Sequence, residues 1–492
     1  MAKKPVQLDE KGNRKFGMLD KLAYAAGDAG CNLSFGLKGT VQTFWLVYMA
    51  METGLLSILL LIVQAWDAIN DPIIGAMIDA DQRKYKMGKF KTYIFIGAIG
   101  LIIGGAAVFL PFPESGPVLK AVLFILGYIV WDAAYTMANV PYGSMLSLVT
   151  EDAGERAQLS SWRSIGGMVG NLLPGIILPM IIWKDVYDEN GEKLGQDLLG
   201  DRVFIAALLM GVLAFAFFMF MIKKITLRVD EYSVKTGEEA PKFNVFKAFG
   251  NFIKNRPAIG ATVAAMGMFL GMQSATTANS IMFAAYFKQA QLSGIVMAIG
   301  FLPMFAFIPF IKKIVAKFGK KEAATAGTLV SLLGGLIMLI FPIVPIAAAL
   351  PIYMVGLILF GLGMGVYTCV SWAMMADAID YNEWKFGTRE EGTVYSLHSF
   401  FRKLAQGIGP SIVIALLGAI GYVESAGTTG QTQEVVIGSC WLVAGLYLFS
   451  AVCQFVGIGF IYNLDKKTLA TMNADLDARH AANAGEEIAE EV

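Results

Sequence analysis

The chain has 492 residues, 39 basic and 39 acidic side chains, 56% hydrophobic residues and a mean hydropathy of +0.59. That is too apolar for a water-soluble domain, and zero net charge argues against a nucleic-acid partner. Cys31, Cys369, Cys440 and Cys453 sit in or beside apolar stretches without paired spacing, which indicates neither a disulfide framework nor a zinc site.

The start, MAKKPVQLDEKGNRKFGMLDK, is polar for too long to be a signal peptide, so the first apolar stretch is expected to be retained. A spanning helix needs roughly 20 apolar residues. By that measure twelve spans are expected: 24–50, 54–78, 92–112, 118–146, 162–183, 203–222, 258–287, 292–311, 324–343, 347–376, 393–421 and 437–462. The first carries Asp28 and Asn32 at i, i+4, with Tyr24 one turn earlier.

The second span carries Asp67, Asn70 and Asp71 in the run VQAWDAINDPIIGAMIDADQRKYKMGKFK. Asp67 and Asp71 share one helical face. A charge at bilayer depth costs at least ~2.5–3.5 kcal/mol, so two on one face call for a purpose. An oxygen-rich face suits a hard cation, and a carboxylate pair can instead hold a proton by mutual repulsion. The bland alternative is an aspartate anchoring a helix near the interface. A basic loop follows: Arg83, Lys84, Lys86, Lys89 and Lys91.

Tyr135, Thr136 and Asn139 of the fourth span precede Pro141-Tyr142-Gly143-Ser144, and Asp132 lies two turns before Asn139 on a similar face. Thr136 and Asn139 are placed to complete a shell opposite Asp67 and Asp71, although a threonine often bonds back to its own helix. Arg163 opens the fifth span, with Asn171 two turns on. Its fork suits hydroxyl-rich or carboxylate ligands; the alternative is a snorkelling arginine at headgroup level. Glycines cluster in the fifth span (Gly166, Gly167, Gly170, Gly175) and the tenth (Gly356, Gly361, Gly363, Gly365), as helix packing or hinges require.

A polar interruption from Lys223 to Arg256 divides the chain, and IKKIVAKFGKK after the eighth span faintly echoes the loop after the second. The eleventh span holds His398, Ser399, Arg402 and Lys403; Lys403 lies too deep for easy snorkelling, so a carboxylate partner is expected. Tyr135, Tyr142 and Trp372 are candidates to stack on a sugar ring, core packing being the common fate of any one aromatic. With His398 and His480 as the only histidines, no enzyme constellation is legible. The basic loops alternate with short or acidic ones such as Lys184–Arg202, so both termini are expected in the cytoplasm. Past Asp465 the tail is polar and ends in Glu486, Glu487, Glu490 and Glu491.

WDAINDPIIGAMID with its GKFK loop, YTxxNxPYGS, and DAIDYNEWKFGTREEGTVYS together resemble the glycoside–pentoside–hexuronide:cation symporters, the major facilitator branch that includes melibiose permease. The likeness runs from about Lys21 to Leu464. It implies that Asp67 and Asp71 bind the coupling cation, supported by Thr136, and that Arg163 contacts sugar. Lys403 matches an eleventh-helix lysine near the cation site. Asp377, Asp380, Tyr381, Glu383 and Arg389 resemble the charged network that closes the inner side. Asn32, Asn139 and Gly143 stand where melibiose permease has two aspartates and a tryptophan, so one negative charge is gone from the sodium site and the galactoside pocket is altered.

The expected protein is an all-α membrane protein of the major facilitator fold. Two six-helix halves, 1–222 with the cation site and 257–464, flank a cytoplasmic loop, 223–256, and precede a tail, 465–492. It would be a monomer in the plasma membrane, without cofactor, importing a sugar or glycoside with a proton or sodium ion. The cation set is Asp67, Asn70, Asp71, Thr136 and Asn139. The substrate set is Asp28, Asn32, Tyr135, Asn139, Tyr142, Arg163, His398, Ser399 and Lys403. An uncoupled uniporter or exchanger, or a transporter-like nutrient sensor, would share much of this sequence.

Overall fold

The computed structural model describes residues 14–81, 83–150, 152–229, 250, 252–387 and 391–490. Arg389 and most of the central loop therefore lie outside the described residues. Eleven helices among the described residues are long and apolar enough to cross a membrane. The stretch expected as a first span is broken into α1 (Met18–Phe35), α2 (Lys38–Thr43) and a π-helical turn over Phe44–Tyr48. Asp20, Asp28 and Lys38 dilute its hydropathy; counted with the eleven it makes twelve.

Two compact units divide the chain. The first, Met1–Glu239 with Phe283–Gly294 and Gly421–Gln431, also contains α3 (Thr53–Ala80), α4 (Lys89–Val108), α5 (Pro117–Ser144), α6 (Leu146–Val149), α7 (Ala153–Ile182) and α8 (Gly200–Lys224). Helix starts follow local chemistry: Asp152 caps α7 by accepting from Glu155 N at 2.7 Å, and Pro117 opens α5 where its missing N–H costs nothing. Burial is inverted relative to a soluble protein. On α3, Ile58 (57% exposed), Ile69 (56%) and Ile73 (55%) form an apolar outer stripe, while Asn70 (2%) is buried. Such a face has its favourable solvent in lipid.

Glycine decides how closely α1 and α7 pack. A Cβ at Gly166 would overlap the Ala25 carbonyl, and one at Gly170 would crowd Ala29 O at 2.5 Å. These contacts give the bland reading of that glycine cluster its physical content.

The acidic stretch Lys184–Arg202 departs from the expected plain loop. It folds into an antiparallel hairpin, β1 (Trp183–Tyr187) and β2 (Lys193–Leu198), bulged between Val186 and Tyr187. Asp188 makes the turn by accepting from Asn190 N (2.9 Å) and Glu192 N (2.7 Å), and Gly191 supplies the left-handed backbone at φ 80°. The missed signal was Asp-Glu-Asn-Gly between two short β-compatible runs. Gln196 of β2 accepts from Ala290 N and, through its carbonyl, from Thr428 Oγ1, while Lys288 Nζ donates to Lys193 O at 2.8 Å. These bonds hold Phe283–Gly294 and Gly421–Gln431 in the first unit.

The second unit, Ala240–Met282, Ile295–Ile420 and Thr432–Val492, is built from α9 (Arg256–Met268), α10 (Thr276–Ala285), α11 (Ala290–Phe301), α12 (Ile311–Phe318), α13 (Lys320–Met338), α14 (Ile346–Phe386), α15 (Glu391–Ala419), α16 (Gln433–Phe455) and α17 (Lys466–Glu490), the ends of α10 and α11 falling in the first. Asn255 both caps α9, accepting from Ala258 N at 3.0 Å, and ties it to α14 by donating to Ala378 O at 2.7 Å. The tail expected as a polar extension is helical, and Asp475 accepts from Trp384 Nε1 at 2.9 Å.

Candidate cation and substrate sites

Apolar periodicity brings α3 and α5 together, and the polar residues they carry meet inside. Asn70 Nδ2 donates to Asp132 Oδ2 (3.1 Å) and Thr136 Oγ1 (3.0 Å), and Thr136 Oγ1 donates to Asp71 Oδ1 (2.8 Å). Asp67, one turn before Asp71, accepts from Gln64 Nε2 at 3.3 Å and lies 3.7 Å from Lys38 Nζ. Asp132 is 1% exposed, has Asp67, Lys38 and Asp71 as charged neighbours, and leaves Oδ1 buried without a hydrogen-bond partner. Three carboxylates and one ammonium thus share a cluster in which Asp132 is buried and Asp67, Asp71 and Lys38 are partly exposed. Asn139, half-buried on α5, is not joined to it.

Two of these residues were under-read. Asp132 looked like one more buried carboxylate and is at the cluster's centre. Lys38 was not singled out, though it is the only Lys or Arg between Lys21 and Arg83. That isolation in an apolar run was the available signal.

A second cluster joins α1, α5 and α7. Asp28 Oδ1 accepts from Arg163 Nε at 2.9 Å, Asp28 Oδ2 accepts from Asn32 Nδ2 at 3.0 Å, and Asn32 Oδ1 accepts from Asn171 Nδ2 at 2.7 Å. Arg163 also lies over the Tyr142 ring, 5.2 Å from its centre. Tyr142 stacks on Tyr24 with centroids 4.7 Å apart and donates to Tyr24 O at 2.9 Å. Arg163 is therefore an ion-paired arginine and not a snorkelling one. Gly167 lies under this network, where a Cβ would come within 2.5 Å of Asp28 Oδ2. Tyr135 packs on Phe35 at 6.2 Å, apart from these bonds.

At the basic-loop end of the first unit, Asp81 accepts from Tyr85 OH (2.5 Å), Tyr93 OH (2.8 Å) and Arg83 N (2.9 Å). The Tyr85 hydroxyl, then the Arg83 amide and the Tyr93 hydroxyl, hold its carboxyl down at about 2, against an ordinary 3.8. A depressed carboxylate contributes stability above its unfolded pKa and loses it as pH falls through the folded value. The melting-temperature difference between wild type and Asp81→Asn should accordingly be constant from about pH 5 to 8 and vanish between about pH 4 and 2. A difference that grows on acidification in thermal melts would overturn this.

In the second unit, His398 Nδ1 shares a 2.9 Å hydrogen bond with Thr262 Oγ1, and its ring meets Trp372 edge-on at 6.1 Å. Ser399 is half-buried and Lys403 exposed. Asp377 has a partner that the sequence did not reveal: Lys320 Nζ donates to both its oxygens at 2.7 Å. Tyr381 packs on Trp384 at 5.9 Å, Asp380 and Glu383 are half-buried nearby on α14, and Arg389 falls outside the described residues.

Charged clusters enclosed by apolar spans mark a multi-pass membrane protein that carries polar sites among its spans. Over residues 23–466 the chain matches the family described as MFS/sugar transport protein, and it belongs to that family. It is 28% identical to the "Uncharacterized symporter YjmB" of Bacillus subtilis (97% of this chain, 98% of that one). To the "Isoprimeverose transporter" of Lactiplantibacillus pentosus it is 27% identical (94% and 92%). Among solved structures, the xylose transporter XylE from E. coli superposes with a TM-score of 0.57 at 15% identity, covering 92% of this chain and 98% of that one, a likeness of fold.

Proposed function

We propose that the protein imports a sugar or glycoside by cation-coupled symport, with the N-terminal half carrying the ion site. The observation that carries this reading is the cluster of Asp67, Asn70, Asp71, Asp132 and Thr136. A proton or sodium ion entering it relieves repulsion among three neighbouring carboxylates, of which Asp132 is buried. Asp28, Asn32, Arg163 and Asn171 present hydroxyl-matching donors and acceptors a short distance along α1 and α7, beside the Tyr142 ring. Coupling is reciprocal: a cation that tightens sugar binding is itself tightened by sugar. A relative that carries isoprimeverose supports the glycoside class. The alternation of basic and acidic loops supports a reading with both termini in the cytoplasm and the protein in the plasma membrane.

The test is accumulation of a glycoside panel in proteoliposomes under a proton gradient and, separately, a sodium gradient. Concentrative uptake under either is expected; downhill flux without concentration under both would overturn coupling.

Lys38 favours one second reading. Its ammonium, 3.7 Å from Asp67, can act as a built-in counter-ion that replaces the coupling cation and leaves a uniporter. Lys38→Gln should then raise cation affinity about tenfold, as expected when a charge-assisted partner is removed. An unchanged affinity, read by cation-dependent sugar binding, would exclude Lys38 as a competitor.

A further inference from the structure

The hairpin β1–β2 belongs to the first unit, and so do the two segments it grips, Phe283–Gly294 and Gly421–Gln431. Along the chain those segments are the turns at which α10 passes into α11 and α15 into α16, helices whose greater part lies in the second unit. Gln196 is the centre of the grip and is fully buried. Its side chain donates to Asp185 Oδ1 at 2.5 Å and accepts from Ala290 N, while its carbonyl accepts from Thr428 Oγ1. Asp197 Oδ1 lies 3.0 Å from the same hydroxyl and accepts from Thr429 Oγ1 at 3.4 Å. Lys288 Nζ closes the other end of β2 on Lys193 O at 2.8 Å. A further tie leaves the second of these turns. Glu424 accepts at 2.6 Å from Thr53 N, a first-turn amide of α3 with no partner inside its own helix. A carboxylate there also suits the positive end of the helix dipole.

Hydrogen bonds exchange for water at small net cost, so a polar grip of this kind can be released and remade. Alternating access requires one bundle of helices to rock against the other around the substrate. Turns that end second-unit helices, yet are bonded to first-unit strands, cannot keep those bonds through that motion. The ties must open once in every cycle. α3, which Glu424 holds at its first turn, is also the helix that carries Asp67, Asn70 and Asp71.

We propose that β1–β2 and Glu424 form an outer strap, which holds the α10–α11 and α15–α16 turns on the first unit while the path on that face is shut and releases them when it opens. With both termini in the cytoplasm, that face is the extracellular one. The strap rests on the transport reading, but not on cation coupling or on the identity of the sugar.

The test is a reversible staple. A Cβ at Gly195 would lie 3.1 Å from Thr429 Cγ2, about the spacing that lets a disulfide join the two positions. Full-length Gly195→Cys/Thr429→Cys is assayed in proteoliposomes with the glycoside that wild type carries fastest, isoprimeverose being the first probe. Reduced, it should transport within about twofold of wild type, as surface substitutions do. Oxidised, it should lose uptake and counterflow by about tenfold or more, because one of two required states is forbidden, and reductant should restore both. Wild type carried through the same oxidation sets the reference. Should the cysteine pair transport poorly even when reduced, Thr428→Val decides. Losing that hydroxyl loosens the strap and favours the open outer face. Half-saturation by sugar should then fall about threefold at the hairpin face in right-side-out vesicles and rise about threefold at the opposite face in inside-out vesicles. A residue that only stabilises the fold would move both faces alike. A complete cross-link that leaves transport unchanged overturns the strap, as does a cross-link that never forms or a Thr428→Val shift equal on both faces; transport itself then stands. Wild type that moves no glycoside overturns the transport reading and the strap together.

Discussion

Asp71→Asn and Asp132→Asn are each expected to abolish concentrative uptake while sugar counterflow persists within about threefold of wild type. Both residues belong to one hydrogen-bonded unit: Asn70 donates to Asp132 and Thr136, and Thr136 donates to Asp71. Neutralising either carboxylate removes a charge that a bound cation would need. Charged hydrogen-bond partners are worth about 1.5–3 kcal/mol, so cation affinity should fall about tenfold to a hundredfold. Counterflow needs no net ion movement, and it survives because Arg163, Asp28 and Asn32 are untouched. The readout is accumulation in proteoliposomes beside counterflow in the same vesicles. Asp71→Asn with full accumulation would remove Asp71 from coupling. Asp132→Asn behaving like wild type would return that residue to a packing role, with its unpartnered Oδ1 left unexplained.

The second large effect is structural. Gly166→Val should lower the melting temperature by roughly 5–10 °C and the folded yield with it, while Gly175→Val on the same helix should stay within about 1 °C. The contrast comes from what a side chain would meet: the Ala25 backbone at Gly166, and open space at Gly175. Gly166 sits one residue from Gly167, over which Asp28 and Asn32 form their bonds, so forcing α7 off α1 also separates Arg163 from Asp28. Loss of sugar binding should accompany the loss of stability. Equal melting temperatures for both variants would show that α1 and α7 can move apart at little cost, and the glycine cluster would then read as a hinge.

Much of the fold could be read before any coordinates. Long apolar runs, the alternation of basic and acidic loops, and carboxylates at bilayer depth follow from one dominant constraint. A helix in lipid must satisfy its own backbone and can carry charge only for a reason. The same constraint exposed Asp67 and Asp71, because they stand out against leucine and isoleucine. The hairpin at Trp183–Leu198 escaped because its signal is four turn-forming residues between short strands, with no long-range periodicity.

The sequence by itself determined the class of the protein, the order of its spans, and which residues are too polar for their depth. Only the tertiary structure decided which of those residues act together. Asp132 and Lys38 join the Asp67–Asp71 set, Asn139 stands apart from it, Arg163 is neutralised by Asp28, and Asp377 by Lys320. Arg402 lies over the rings of Trp372 and Phe269, and among the described residues no carboxylate is ion-paired to it. The reason is geometric. Hydropathy follows from a residue's own chemistry and its neighbours along one helix. Pairing depends on the rotation and depth at which two helices meet, which small residues such as Gly166 set and no single segment encodes.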